Sequence, residues 1–167
     1  MQVGIIVEHL APGQLSYLVT KQVNELLFSD VDFVLFHKQL VPPIQKVNTS
    51  VLMLDQITKF TGMLIATDFD SARYLTKLCN ASRKVFYPWN ITEFFHHGIN
   101  YNEVAGVLRD PNLEVIARSD FHARQISQFN RDVDAVIPDF DLPEIMKYLV
   151  THDEKKFYVN EKSLLWK

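Results

Sequence analysis

The chain has 167 residues, 47% apolar and 12% aromatic, which suffices for one domain with a sizeable core. Its formal charge is −3 with no basic run beyond Lys155-Lys156, so the electrostatic footprint of a nucleic-acid binder is missing. No apolar stretch is long enough to cross a bilayer, the short run at Val3–Val7 lacks the basic flank of a secretory signal, and Cys79, the single cysteine, excludes an internal disulfide; a cytoplasmic protein off the membrane is the expectation.

The continuous apolar run Val3–Val7 suits a strand covered on both faces, and Ala11-Pro12-Gly13 turns it into a helix over about Gln14–Phe28, with Leu15, Leu18, Val19, Val23, Leu26 and Leu27 on one stripe. Phe33–Phe36 is a second strand. Val41-Pro42-Pro43 then breaks regular structure before a third, Ser50–Leu54. One helical turn at Gln56–Phe60 leads to a fourth strand, Met63–Ala66. Thr67-Asp68 closes it and opens a helix that turns Ala72, Leu75 and Leu78 inward. Val85–Tyr87 is a fifth strand, stopped at Pro88. Ile91–His97, ending at Gly98, and Glu103–Leu108 read as helices.

The stretch Leu113–Asp141 is the clearest strand–helix–strand unit. Val115, Ile116 and Ala117 form the first strand, Ser119 is the helix N-cap with Asp120 favourable to the dipole, and Ala123, Ile126 and Phe129 recur at helical spacing. Val133, Ala135, Val136 and Ile137 make the second strand, ended by Pro138. A helix over Leu142–Val150 completes residues 1–150. The tail over 151–167, apolar at Phe157-Tyr158-Val159 and Leu164-Leu165-Trp166, is expected to pack back on the domain. Strands alternating with helices predict an α/β, doubly wound, mostly parallel Rossmann-like sheet of about six or seven strands. Ligands in such sheets gather beyond the strands' carboxyl ends, here the segments after Val7, Ala66, Tyr87, Ala117 and Ile137.

At the first of these ends, His9 to Gly13 could place helix-start amides on an anion or be a plain turn. Only Gly13 stands where a dinucleotide fingerprint needs three glycines, so no tightly held nicotinamide or flavin cofactor is expected. Thr67, Asp68 and Asp70 could supply a general base, or Asp68 could simply cap a helix; Ser119 and Asp120 present the same pair of readings, with Arg118 beside them to pair an anion. The run from Phe86 to Phe95 holds five aromatics, Tyr87 and Trp89 among them, and one carboxylate, Glu93. Sugars are bound by such surfaces, which stack on the apolar sugar face and accept hydroxyl protons, but core packing uses aromatics too. The six histidines share no metal-ligand spacing, and no metal site is expected.

Three segments, Leu64–Ala72 (Leu-Ile-Ala-Thr-Asp-Phe-Asp-Ser-Ala), Phe86-Tyr87-Pro88-Trp89, and Val115–Ala123 followed by Val136-Ile137-Pro138, resemble the amino-terminal half of GT-B-type glycosyltransferases. The resemblance covers Val3 to about Asp141 and implies an acceptor-side domain whose first loop, His9 to Gly13, faces a cleft. It also implies Asp68 and Glu93 as the carboxylates nearest the acceptor, in catalytic positions, with Ser119 on the cleft floor. That family's second Rossmann domain, bearer of most nucleotide-sugar contacts, has no counterpart in the 167 residues. The expectation is a half-domain that binds a sugar, acceptor or nucleotide sugar without full catalysis alone, working with a second chain or as a self-dimer. The alternative is a non-catalytic protein-interaction module on the same scaffold.

Overall fold

The computed structural model describes residues 1–27, 30–95 and 100–151. Seven strands, β1 (Gln2–Val7), β2 (Asp32–His37), β3 (Ser50–Met53), β4 (Met63–Ala66), β5 (Arg83–Phe86), β6 (Leu113–Ala117) and β7 (Ala135–Val136), form one sheet in the order β3-β2-β1-β4-β5-β6-β7. Every neighbouring pair is parallel. The helices are α1 (Gln14–Glu25), α2 (Phe69–Leu78), α3 (Tyr101–Leu108), α4 (Asp120–Ser127) and α5 (142–151), with 3-10 turns at Leu54–Lys59, Ile91–Phe95 and Pro138–Phe140. This is the doubly wound Rossmann-like architecture.

Alternation along β1 divides the core. Val3, Ile5 and Val7 face a back layer with Val19 and Val23 of α1 and Leu142, Ile145 and Leu149 of α5. Ile6 faces a front layer with Leu75 of α2, Val104 and Leu108 of α3, and Ile126 of α4. Residues 3–7 are all buried, as a continuous apolar run between two helical layers demands. Gly4 lets the front layer close: a Cβ there would lie 2.5 Å from Leu64 Cδ2 and 2.8 Å from the Phe36 ring.

Several elements differ from the sequence reading for packing reasons. The buried face of α1 is Ser16, Val19, Thr20 and Val23, with the Ser16 hydroxyl satisfied by the His9 carbonyl, while Leu27 is exposed. Leu78, at the end of α2, is exposed rather than inward. Ile91–Phe95 is a 3-10 turn and not the start of an α-helix, and β7 spans two residues, the strand having only one neighbour to pair with. Cys79 is buried, and burial raises its thiol pKa. The expected helix end at His97-Gly98 and the packing of 152–167 lie outside the described residues. No helix among the described residues is long and apolar enough to cross a membrane.

Candidate functional site

Strand order reverses between β1 and β4, and in sheets of this kind ligands gather at such a switch point, beyond the strands' carboxyl ends. Glu8 follows β1 there, Lys38 follows β2, and Thr67 and Asp68 follow β4. The Glu8 carbonyl accepts from the backbone N–H groups of Lys38 and Gln39, both at 3.0 Å, which ties the first two exits together. Thr67 is buried, and its hydroxyl donates to the Ile6 carbonyl at 2.7 Å.

Asp68 caps α2: Oδ1 accepts from Ser71 N–H at 3.0 Å and Oδ2 from the Ser71 hydroxyl at 2.6 Å. The Lys38 ammonium closes an ion pair with the same carboxylate. Glu93, brought in by the 91–95 turn, accepts from Phe69 N–H at 2.9 Å, so two carboxylates share the first turn of one helix. Its pKa is raised, first by desolvation and then by the charges of Asp68 and Glu8; the Phe69 N–H and Lys38 oppose the shift. Glu8, Lys38, Asp68 and Glu93 therefore form one electrostatic cluster. Its carboxylates can accept hydrogen bonds from hydroxyl groups. Beside Lys38, a groove of about 340 Å³ runs between α2 and the 54–59 turn, lined by Leu54, Arg73, Tyr74 and Lys77 among others.

A second group stands at the exits of β5, β6 and β7. Tyr87 is fully buried; its hydroxyl donates to the Ile137 carbonyl at 2.7 Å and accepts from Phe140 N–H at 2.9 Å, and its ring meets Phe140 edge-on at 5.0 Å. Burial pushes its pKa up to about 12. The hydroxyl is spent on the fold, so Tyr87 presents no polar atom to a ligand. Trp89 is half-buried, its backbone N–H donates to the Thr67 carbonyl at 3.0 Å, and the Arg118 guanidinium carbon lies 3.8 Å from the centroid of its ring. One face of the expected stacking platform is thus occupied by Arg118, which also reaches Asp139 at 3.7 Å. Ser119 caps α4, and its hydroxyl lies 2.8 Å from His122 Nδ1. His122 has its pKa lowered, by burial first and by the Arg118 charge second.

Asp139 and Phe140 both adopt left-handed backbone, with φ of 50° and 52°. Such conformers cost on the order of 1–3 kcal/mol each unless their surroundings enforce them. Tyr87 enforces this turn from one side. From the other, Gln22 of α1 donates to the Phe140 carbonyl at 2.9 Å and accepts from Leu142 N–H at 2.6 Å.

The first loop does not demand its glycine. Gly13 sits at the α1 N-cap with φ −177°, extended backbone that any residue adopts, and a Cβ there would meet nothing closer than 3.8 Å. The His9 carbonyl accepts from the Ser16 hydroxyl at 2.8 Å, and its Nδ1 is buried with no hydrogen-bond partner. Sequence reading passed over Lys38, Glu8 and Asp139. Glu8 and Lys38 each directly follow a strand, a signal that could have singled them out, but only the β2–β1–β4 order makes Lys38 the neighbour of Asp68. Among the described residues no group of three or more His, Cys, Asp or Glu could hold a metal ion.

No protein-family description matches the chain, and neither curated proteins nor solved structures give a match to it.

Proposed function

We propose that this chain is a glycosyltransferase-like, acceptor-side half-domain that binds a sugar or sugar-bearing acceptor along the carboxyl edge of its sheet and does not complete transfer as these 167 residues alone. The observation that carries the reading is the pair Asp68 and Glu93 on the first turn of α2, beside Lys38, at the β1/β4 switch point. Carboxylates accept hydrogen bonds from several sugar hydroxyls, and a carboxyl whose pKa is raised can exchange a proton with one of them. Leaving-group stabilisation is usually a large part of such catalysis, and Lys38, the cation beside this pair, is held in an ion pair with Asp68.

Calorimetry with neutral and acidic mono- and disaccharides, paired with an assay for nucleotide release from nucleotide sugars, tests the reading. Binding without release is expected, weakened by Asp68→Asn and Glu93→Ala. Robust turnover would overturn the half-enzyme part, and no saccharide binding would overturn the whole. The interaction-module reading draws on Phe95 and Tyr101, 53% and 49% exposed, which both pack on Phe129. Concentration-dependent sedimentation abolished by Tyr101→Ser would favour it.

A further inference from the structure

Arg118 is held differently from Arg131 and Arg73. Arg131 donates to two backbone carbonyls and to Asp134 at 2.5 Å, and Arg73 joins Glu103 at 2.5 Å and Asp70 at 3.0 Å. Arg118 makes no hydrogen bond among the described residues. Its contacts are the Trp89 ring and one loose ion pair of 3.7 Å to Asp139, a carboxylate 75% exposed to solvent. A pair that long to a solvated partner adds little to stability. Yet the side chain is only 24% exposed, and its Cζ lies 3.8 Å from the centroid of a ring whose residue is tied through its backbone N–H to Thr67. The cation–π contact holds the guanidinium in place and spends none of its N–H donors, the fork that suits phosphate and carboxylate.

We propose that Arg118, platformed on Trp89, recognises an anionic substituent of the ligand, so that the preferred ligand is a phosphorylated or carboxylated sugar rather than a neutral one. The inference deepens the sugar-binding reading and rests on it for the body of the ligand. Spacing supports the combination: β4 and β6 are separated by β5 alone, so the Asp68 cluster and Arg118 stand roughly two strand spacings apart, about 10 Å, within reach of one substituted sugar. Acceptors at one end read hydroxyls and the guanidinium at the other reads charge. Asp139, held in its left-handed turn, occupies the guanidinium when no ligand does, and the ligand's anion displaces it. Trp89 acts as a positioning residue.

The test is calorimetry with glucose, glucose 6-phosphate, glucuronate and inorganic phosphate, on the wild-type chain and on Arg118→Gln, Arg118→Lys, Trp89→Leu, Trp89→Phe and Asp139→Asn, with denaturation midpoints as the fold control. The wild type should bind one or both acidic sugars at least tenfold more tightly than glucose, a ratio that falls as salt is raised. The two acidic sugars tell phosphate from carboxylate. In Arg118→Gln the ratio should collapse to about one, Arg118→Lys should retain part of it, and Trp89→Phe should keep what Trp89→Leu loses. Asp139→Asn should strengthen anion binding, which a merely structural pair would not do. An unchanged ratio in Arg118→Gln, or equal affinity for acidic and neutral sugars, overturns the inference even if sugars bind. If no sugar binds, phosphate binding that is lost in Arg118→Gln sustains the anion site while the sugar reading fails; phosphate binding insensitive to Arg118, or none, overturns it.

Discussion

Tyr87→Phe is the most informative single change, because one hydroxyl links the core to the strained turn that carries Asp139. Removing it deletes the bond donated to the Ile137 carbonyl at 2.7 Å and the bond accepted from Phe140 N–H at 2.9 Å, both buried. A neutral hydrogen bond contributes about 0.5–1.5 kcal/mol net, and a buried donor left unpaired costs about 1–3 kcal/mol, so the loss should be about 2–4 kcal/mol at neutral pH. For a chain of this size that is a fall in Tm of roughly 5–12 °C. The pH dependence adds a second check. The Tyr87 pKa is raised to about 12 in the folded chain against about 10 in the unfolded one. Its contribution is therefore fully present below pH 10 and is lost as pH rises through about 12. Two units correspond to about 2–3 kcal/mol, so the gap between wild type and Tyr87→Phe should narrow across that window. Urea denaturation with an unchanged m-value measures both quantities. A loss below about 0.5 kcal/mol, or a gap independent of alkaline pH, would refute the claim that Tyr87 holds the turn.

Further outcomes follow from the same geometry. Glu93→Gln should be neutral or slightly stabilising at pH 7, since the amide oxygen can still accept from Phe69 N–H while the desolvated charge beside Asp68 and Glu8 is gone; Glu93→Ala should lose about 1 kcal/mol with the cap, both read by thermal denaturation. A raised carboxyl pKa also means that Glu93's contribution is present at acid pH and lost as pH rises through the folded value, so Glu93→Gln should flatten that part of the stability profile. Ile126→Asp should unfold the domain, because Ile126 is fully buried on α4 and an unpaired buried charge costs several kcal/mol, whereas His122→Ala should cost about 1 kcal/mol or less; equal losses in chemical denaturation would count against this packing. His122 has a lowered pKa, so its contribution is present above about pH 6.5 and lost as pH falls, and the alanine variant should lack that acid-side slope. Gly4→Ala should destabilise by about 1–3 kcal/mol through overpacking against Leu64 and Phe36, measurable in the same assay.

What the chain determined by itself is local and periodic. The buried run Val3–Val7, the caps Asp68 and Ser119, and the alternation of strands with helices are all dictated within a few residues, because backbone hydrogen bonding, capping and apolar spacing act at short range. From these the parallel, doubly wound sheet and the carboxyl edge as the place to look were already legible. Strand order was decided only in three dimensions, and with it every contact that makes the edge chemical: Lys38 meets Asp68 across 30 residues, Glu93 reaches Phe69 across 24, and Tyr87 reaches Phe140 across 53. Aromatic composition alone could not separate Tyr87, whose hydroxyl belongs to the core, from Trp89, whose ring carries Arg118. The physical reason is that an ionisable or aromatic side chain takes its character from what desolvates and faces it, and those neighbours are supplied by tertiary packing, not by adjacent residues.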